Sequence, residues 1–192
     1  MHPSYQVVEG ELTDTEALSA VVSKCRLIIS LLGPDIKVPI PPTVFADFYR
    51  RLFPLMREHG VRRIIAVSTI SLSVPDDSFS FRRAMVIPLL WLTARTAYAN
   101  IIAVGEAFRD EEATKDIDYT LFRVAMIPGE WDEESWKRDR EGGKVYVGPL
   151  GASGWTMSLN RSVLARWLVD AAQSGAPELI GKMPAVSKLQ GS

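Results

Sequence analysis

A chain of 192 residues, 47% of them hydrophobic, is long enough for one domain with its own core. A net charge of −1 argues against nucleic acid or an anionic membrane as a partner through bulk electrostatics, and the single Cys25 excludes an intrachain disulfide. Residues 1–6 are polar and no apolar core leads to a cleavage site, so no signal peptide is expected and the cytoplasm is the expected compartment.

Residues 5–9 read as a strand, followed by the acidic turn Gly10-Glu11-Leu12-Thr13-Asp14. Thr13-Asp14-Thr15-Glu16 is a capping box, predicting a helix from Asp14 to about Ser23. Residues 26–32 are apolar nearly throughout, as in a strand covered on both faces, and end at Gly33-Pro34-Asp35. Pro39, Pro41 and Pro42 stiffen the next loop. A helix over 43–59 carries Phe45, Phe48, Leu52, Leu55 and Met56 on one face, with a kink expected at Pro54 and a stop at Gly60. A strand over 61–68 is followed by a loop over 71–81, a long helix over about 83–113 and a strand over 117–124 that closes at Ile127-Pro128-Gly129. A short helix over 132–138 begins with acids and ends with bases, matching its dipole. A short strand over 144–147, an amphipathic helix over 161–174 and a strand or loop in the tail complete the chain.

Alternating strands and helices predict an α/β fold with a parallel sheet and flanking helices. The order strand, acidic turn, helix, apolar strand is the middle of a doubly wound nucleotide-binding sheet, which ordinarily follows a strand, a glycine-rich turn and a helix. None of these precedes Met1, so the expectation is one incomplete domain over 1–192, truncated at its N-terminus. The strands over 26–32, 61–68 and 117–124 are expected side by side, with 5–9 the least secure. The apolar edge of the 26–32 strand would then be open, which predicts a homodimer.

Residues 84–104 are apolar enough to suggest a membrane span, but Pro88, Arg95 and Asn100 interrupt them; a half-buried core helix is the better reading, and no membrane partner is expected. Gly148, Gly151 and Gly154 have the spacing of a phosphate-binding turn, but Trp155-Thr156-Met157-Ser158 is no helix start, so turn glycines are expected. Ser68 and Thr69 end a strand, where open α/β sheets bind ligands; a hydroxyl there suits either a substrate carbonyl or a local turn. Tyr98 lies on the helix after that strand, where reductases of this architecture place a proton-donating tyrosine with a lysine four residues later. Here that residue is Ile102, with Arg95 one turn earlier, so a core role for Tyr98 stays open beside a catalytic one. His2 and His59 are far apart, and no metal site is expected. Arg62-Arg63 and Arg82-Arg83 read as solvated edges.

Val8-Glu9-Gly10-Glu11-Leu12, Leu31-Leu32-Gly33, residues 61–68, Glu106 with Ile117–Arg123, and Pro128-Gly129 together resemble the NmrA-like group of atypical short-chain dehydrogenases. Residues 143–148, Trp155-Thr156-x-Ser158-Leu159-x-Arg161, residues 164–170 and residues 180–187 resemble its averufin-oxidase branch, fungal proteins of aromatic polyketide and mycotoxin biosynthesis. The resemblance covers nearly the whole chain. It implies a Rossmann-like fold that binds NADP or NAD, and oxidoreductase activity on an aromatic anthraquinone- or xanthone-type substrate. It implies Tyr98, Ser68 and Thr69 as catalytic residues, and Glu11, Leu32, Gly33, Pro128 and Gly129 as cofactor-binding residues. Trp91, Trp131 and Trp155 offer flat apolar surfaces either to such a substrate or to the core. The absent lysine and glycine-rich turn also leave a non-redox reading, as a polyketide-binding, isomerase, cyclase or regulatory protein.

Overall fold

The computed structural model describes residues 6–35, 38 and 40–192. Its centre is a five-stranded sheet in the order β1-β2-β3-β5-β4. β1 (Leu27–Ser30), β2 (Arg63–Thr69) and β3 (Asp118–Val124) run parallel and side by side, with Ile28 opposite Ile64 and Ile65 opposite Thr120. β5 (Ala185–Lys188) joins β3 in parallel, and β4 (Val145–Gly148) closes the far edge antiparallel to β5.

Strand periodicity sends alternate side chains to opposite faces, and a core sits on each. On one face Ile64, Ala66 and Leu121 pack with Phe48, Tyr49, Leu52, Phe53 and Met56 of α2 (Val44–Glu58) and with Val104 and Phe108 of α4 (Arg95–Arg109). The rings of Tyr49, Phe53 and Phe108 meet at centroid separations of 4.8–6.1 Å. On the other face Ile65, Phe122 and Val124 pack with Val163, Leu164 and Leu168 of α6 (Arg161–Ser174). The helix α1 (Thr15–Val22) starts at Asp14, whose carboxylate accepts from the Ala17 amide, as the capping box predicts. α5 (Glu133–Asp139) is capped in the same way by Asp132.

Four expectations need correction. Residues 6–9 form no strand; Val7 and Val8 are 74% and 47% exposed, and two adjacent apolar residues give no one-sided face to bury. Residue 5 lies outside the described residues. β1 is an edge strand covered well on one face only, which leaves Ile29 38% exposed. Arg63 is no solvated edge: it is buried, and its guanidinium donates to the carbonyls of Gly175 and Asp118 and to Thr120 Oγ1.

The helix expected over 83–113 is two helices. α3 (Phe81–Thr93) and α4 meet at Ala94 in a bend of 115°. α3 is not core: none of its residues is buried, and its Val86 and Leu90 line a cavity at the strand ends. Among the described residues no single helix is long and apolar enough to cross a membrane.

Candidate functional site

β1, β2 and β3 run parallel, so their carboxyl ends share one rim of the sheet. After β2, Thr69 Oγ1 accepts from the Ser71 amide, and the Ile70 amide donates to the Val124 carbonyl. The loop that follows is clamped to the sheet by Arg123, which is wholly buried in β3. Its guanidinium grips Asp77 with two bonds of 2.6 and 2.7 Å and donates to the carbonyls of Leu72 and Met183. Asp77 also accepts from the amides of Val74 and Leu150, tying a second loop to the first. Burial by itself would raise the Asp77 pKa; the bonds from Arg123 and the two amides outweigh it and hold the carboxyl below its ordinary value.

The ends of β1, β2 and β3, with α3 and α4, line a cavity of about 490 Å³ at the carboxyl ends of the strands, within the size range of small-molecule sites. Leu32, Gly33, Ser68, Thr69 and Tyr98 all line it, joined by Val86 and Leu90 of α3, by Asn100 and Val104 of α4, and by Met126 and Ile127 after β3. Among the described residues no Lys, Arg, His, Asp or Glu lines it. Ser68 is buried in its wall, and the Oγ atom has no hydrogen-bond partner. Such a hydroxyl costs about 1–3 kcal/mol unless something satisfies it. At Gly33 an added Cβ would meet nothing within 4 Å, so the backbone there is open to the close approach of a flat group.

The other sequence candidates lie elsewhere. Glu11 is exposed on the turn before α1, 3.4 Å from the Thr13 hydroxyl. Pro128 and Gly129 are exposed, and their carbonyls accept from the Arg161 amide and Arg161 Nε at the start of α6. Trp131 is 88% exposed, Trp155 packs in a small cluster with Ile70 and Leu150, and Trp91 faces away from the cavity under the guanidinium of Arg95, 4.8 Å from its ring centre. Arg95 is thus engaged with Trp91. Gly151 and Gly154 are turn glycines with φ of +78° and +91°, and no helix begins until Arg161.

Three residues that hold the structure around the cavity escape sequence reasoning. Asn100 is fully buried, and its amide donates to the carbonyls of Pro41 and Thr96, pinning the loop before α2 against α4 beside the cavity. The Arg123–Asp77 clamp joins residues 46 apart in sequence. The available signal was a lone amide in an apolar helix and a lone arginine in an apolar strand.

The fit to a nicotinamide cofactor is one-sided. The cavity, uncharged among the described residues, the open backbone at Gly33 and the orphaned Ser68 hydroxyl suit the nicotinamide end. For the pyrophosphate, no glycine-rich turn opens a helix among the described residues.

The family model that matches residues 1–174 is described as NAD(P)H-binding. No curated protein matches the sequence. Among solved structures, a wide-type short-chain dehydrogenase/reductase from Veillonella parvula in complex with NADP superposes with a TM-score of 0.66 at 12% identity, over 94% of this chain and 71% of that one. The oxidoreductase YlbE from Lactococcus lactis gives 0.61 at 16% identity, over 97% and 74%. The anaerobillin reductase ChuY from Escherichia coli gives 0.58 at 14% identity, over 95% and 75%. At these identities the structural likeness establishes the Rossmann-like fold.

Proposed function

The chain belongs to the NAD(P)H-binding family, and from that premise we propose that it is an oxidoreductase acting on an apolar aromatic carbonyl compound of anthraquinone or xanthone type, within fungal aromatic polyketide biosynthesis. The observation that carries the reading is the cavity at the strand ends, uncharged among the described residues, with an orphaned hydroxyl in its wall. A phosphorylated or carboxylated substrate would find no counter-charge among the described residues there, whereas a neutral ring system is stabilised by burial. The polyketide assignment is supported by the sequence resemblance of residues 143–187 to the averufin-oxidase branch.

Leu32 and Gly33 would flank the nicotinamide of NAD(P)H, which when bound would supply the hydride for reduction of a carbonyl carbon. Ser68 donates to the substrate carbonyl oxygen, which satisfies its own hydroxyl and fixes the carbonyl's orientation. Tyr98 supplies the proton that this oxygen takes up. Asn100 and the Arg123–Asp77 clamp hold the walls in place.

A non-redox role in the same pocket, as isomerase, cyclase or binding protein, is favoured by one observation: the described residues furnish no pyrophosphate cradle. Turnover of anthraquinone-type substrates with and without NADPH separates the two. The oxidoreductase reading requires NADPH consumed in step with substrate reduced. Conversion at an equal rate without NADPH overturns it in favour of the isomerase or cyclase.

A further inference from the structure

α3 has a second apolar side. Phe81, Met85, Leu89 and Leu92 are spaced by four, four and three residues, so they form one stripe along the helix. They are 68%, 63%, 60% and 68% exposed, and Phe79, just before the helix, is 82% exposed. The roughly opposite side carries Val86 and Leu90, which wall the cavity, and Arg83, whose Nε donates to the Ile70 carbonyl. The outer stripe is therefore held in a fixed orientation and left uncovered.

The charge around this stripe has one sign. From Ser78 to Gly105 there is no acidic residue, while Arg82, Arg83 and Arg95 give the segment a local charge of +3. The net charge of −1 averages over the whole chain and hides this. Arg82 is exposed at the start of the helix, and Arg95 stacks on the exposed ring of Trp91 at its end. An apolar stripe with an aromatic ring at its border and arginines at both ends is the chemistry of a helix lying in the plane of a lipid interface. A helix with acids among the arginines would meet repulsion from anionic headgroups; this one meets none.

We propose that α3 docks on an anionic membrane surface, inserting Phe81, Met85, Leu89 and Leu92 among the acyl chains with Arg82 and Arg95 at the headgroups. Because the same helix walls the cavity, docking brings that wall to the bilayer. The inference rests on the surface of α3 and is independent of the chemistry in the cavity.

Co-sedimentation of the 192-residue protein with vesicles tests it, using phosphatidylcholine alone and phosphatidylcholine mixed with phosphatidylserine. The expected result is binding to the mixed vesicles and much weaker binding to phosphatidylcholine alone. Arg82→Gln should weaken binding to mixed vesicles about fivefold, the usual contribution of one surface arginine. The Met85→Ser, Leu89→Ser double variant removes only exposed side chains, so it should stay folded by circular dichroism and lose binding by more than about tenfold. No sedimentation with mixed vesicles, or equal binding to both vesicle types, overturns the proposal. So does a solution dimer that the double variant converts to monomer while vesicles capture neither form, which would assign the stripe to a second copy.

Discussion

Removing the Asp77 carboxylate tests how the cavity's walls are held. Asp77→Ala would leave Arg123, whose side chain is wholly buried, with two carbonyl partners and an unpaired charge, and would strip the Val74 and Leu150 amides of their acceptor. Breaking a buried pair by deleting one partner costs about 3–5 kcal/mol, so a loss of about 4 kcal/mol is expected in urea unfolding. The Asp77→Leu, Arg123→Met double variant removes both charges and should cost less than Asp77→Ala, because no uncompensated charge remains. The pH dependence has a definite sign. The folded carboxyl lies below its ordinary value, so its contribution is present above the unfolded pKa of about 3.9 and is lost as pH falls through the folded value. Between neutral pH and about 4 the wild type should hold this stability; below about 4 it should lose it, and Asp77→Ala should show a shallower acid limb. A loss under about 1 kcal/mol in Asp77→Ala, or a double variant as destabilised as the sum of its singles, would refute the clamp.

Three further outcomes are expected. Tyr98→Phe should cut turnover on an anthraquinone-type substrate about 10²–10⁴-fold with little change in melting temperature, Ser68→Ala should act at the same step, and the double variant should be non-additive; unchanged turnover in Tyr98→Phe would move that residue to a packing role. Gly105→Ala should destabilise by about 1–3 kcal/mol in chemical unfolding, because its Cβ would run into the side chain of the buried Leu72. The open edge of β1 should make the protein self-associate in light scattering, and Ile29→Lys should shift it toward monomer; a wild type that stays monomeric at high concentration would contradict this.

The fold was legible wherever hydrophobic period and caps agreed. Asp14, Asn160 and Gly175 mark helix ends that the structure reproduces, and the three central strands pair as their apolar runs predict. Local pattern misled in two places. Residues 6–9 stay off the sheet although the edge of β1 is open, and the apolar run after Phe81 looks like core although none of α3 is buried. In the site, the strand-end rule located Gly33, Ser68 and Thr69, because topology fixes where strands end. Asn100, Asp77 and Arg123 stayed hidden because their partners are distant in sequence, and no local pattern reports a long-range polar contact.

The central claim is that the cavity at the strand ends holds the nicotinamide end of NAD(P)H, and calorimetric titration of NADPH and NADH into the wild type and Gly33→Leu tests it most directly. An added Cβ at Gly33 meets nothing within 4 Å, so the variant should fold normally while its side chain fills the space the ring would take. The account predicts saturable binding of one or both nucleotides by the wild type and its loss in Gly33→Leu. No binding by the wild type, or equal binding by a folded Gly33→Leu, would contradict it.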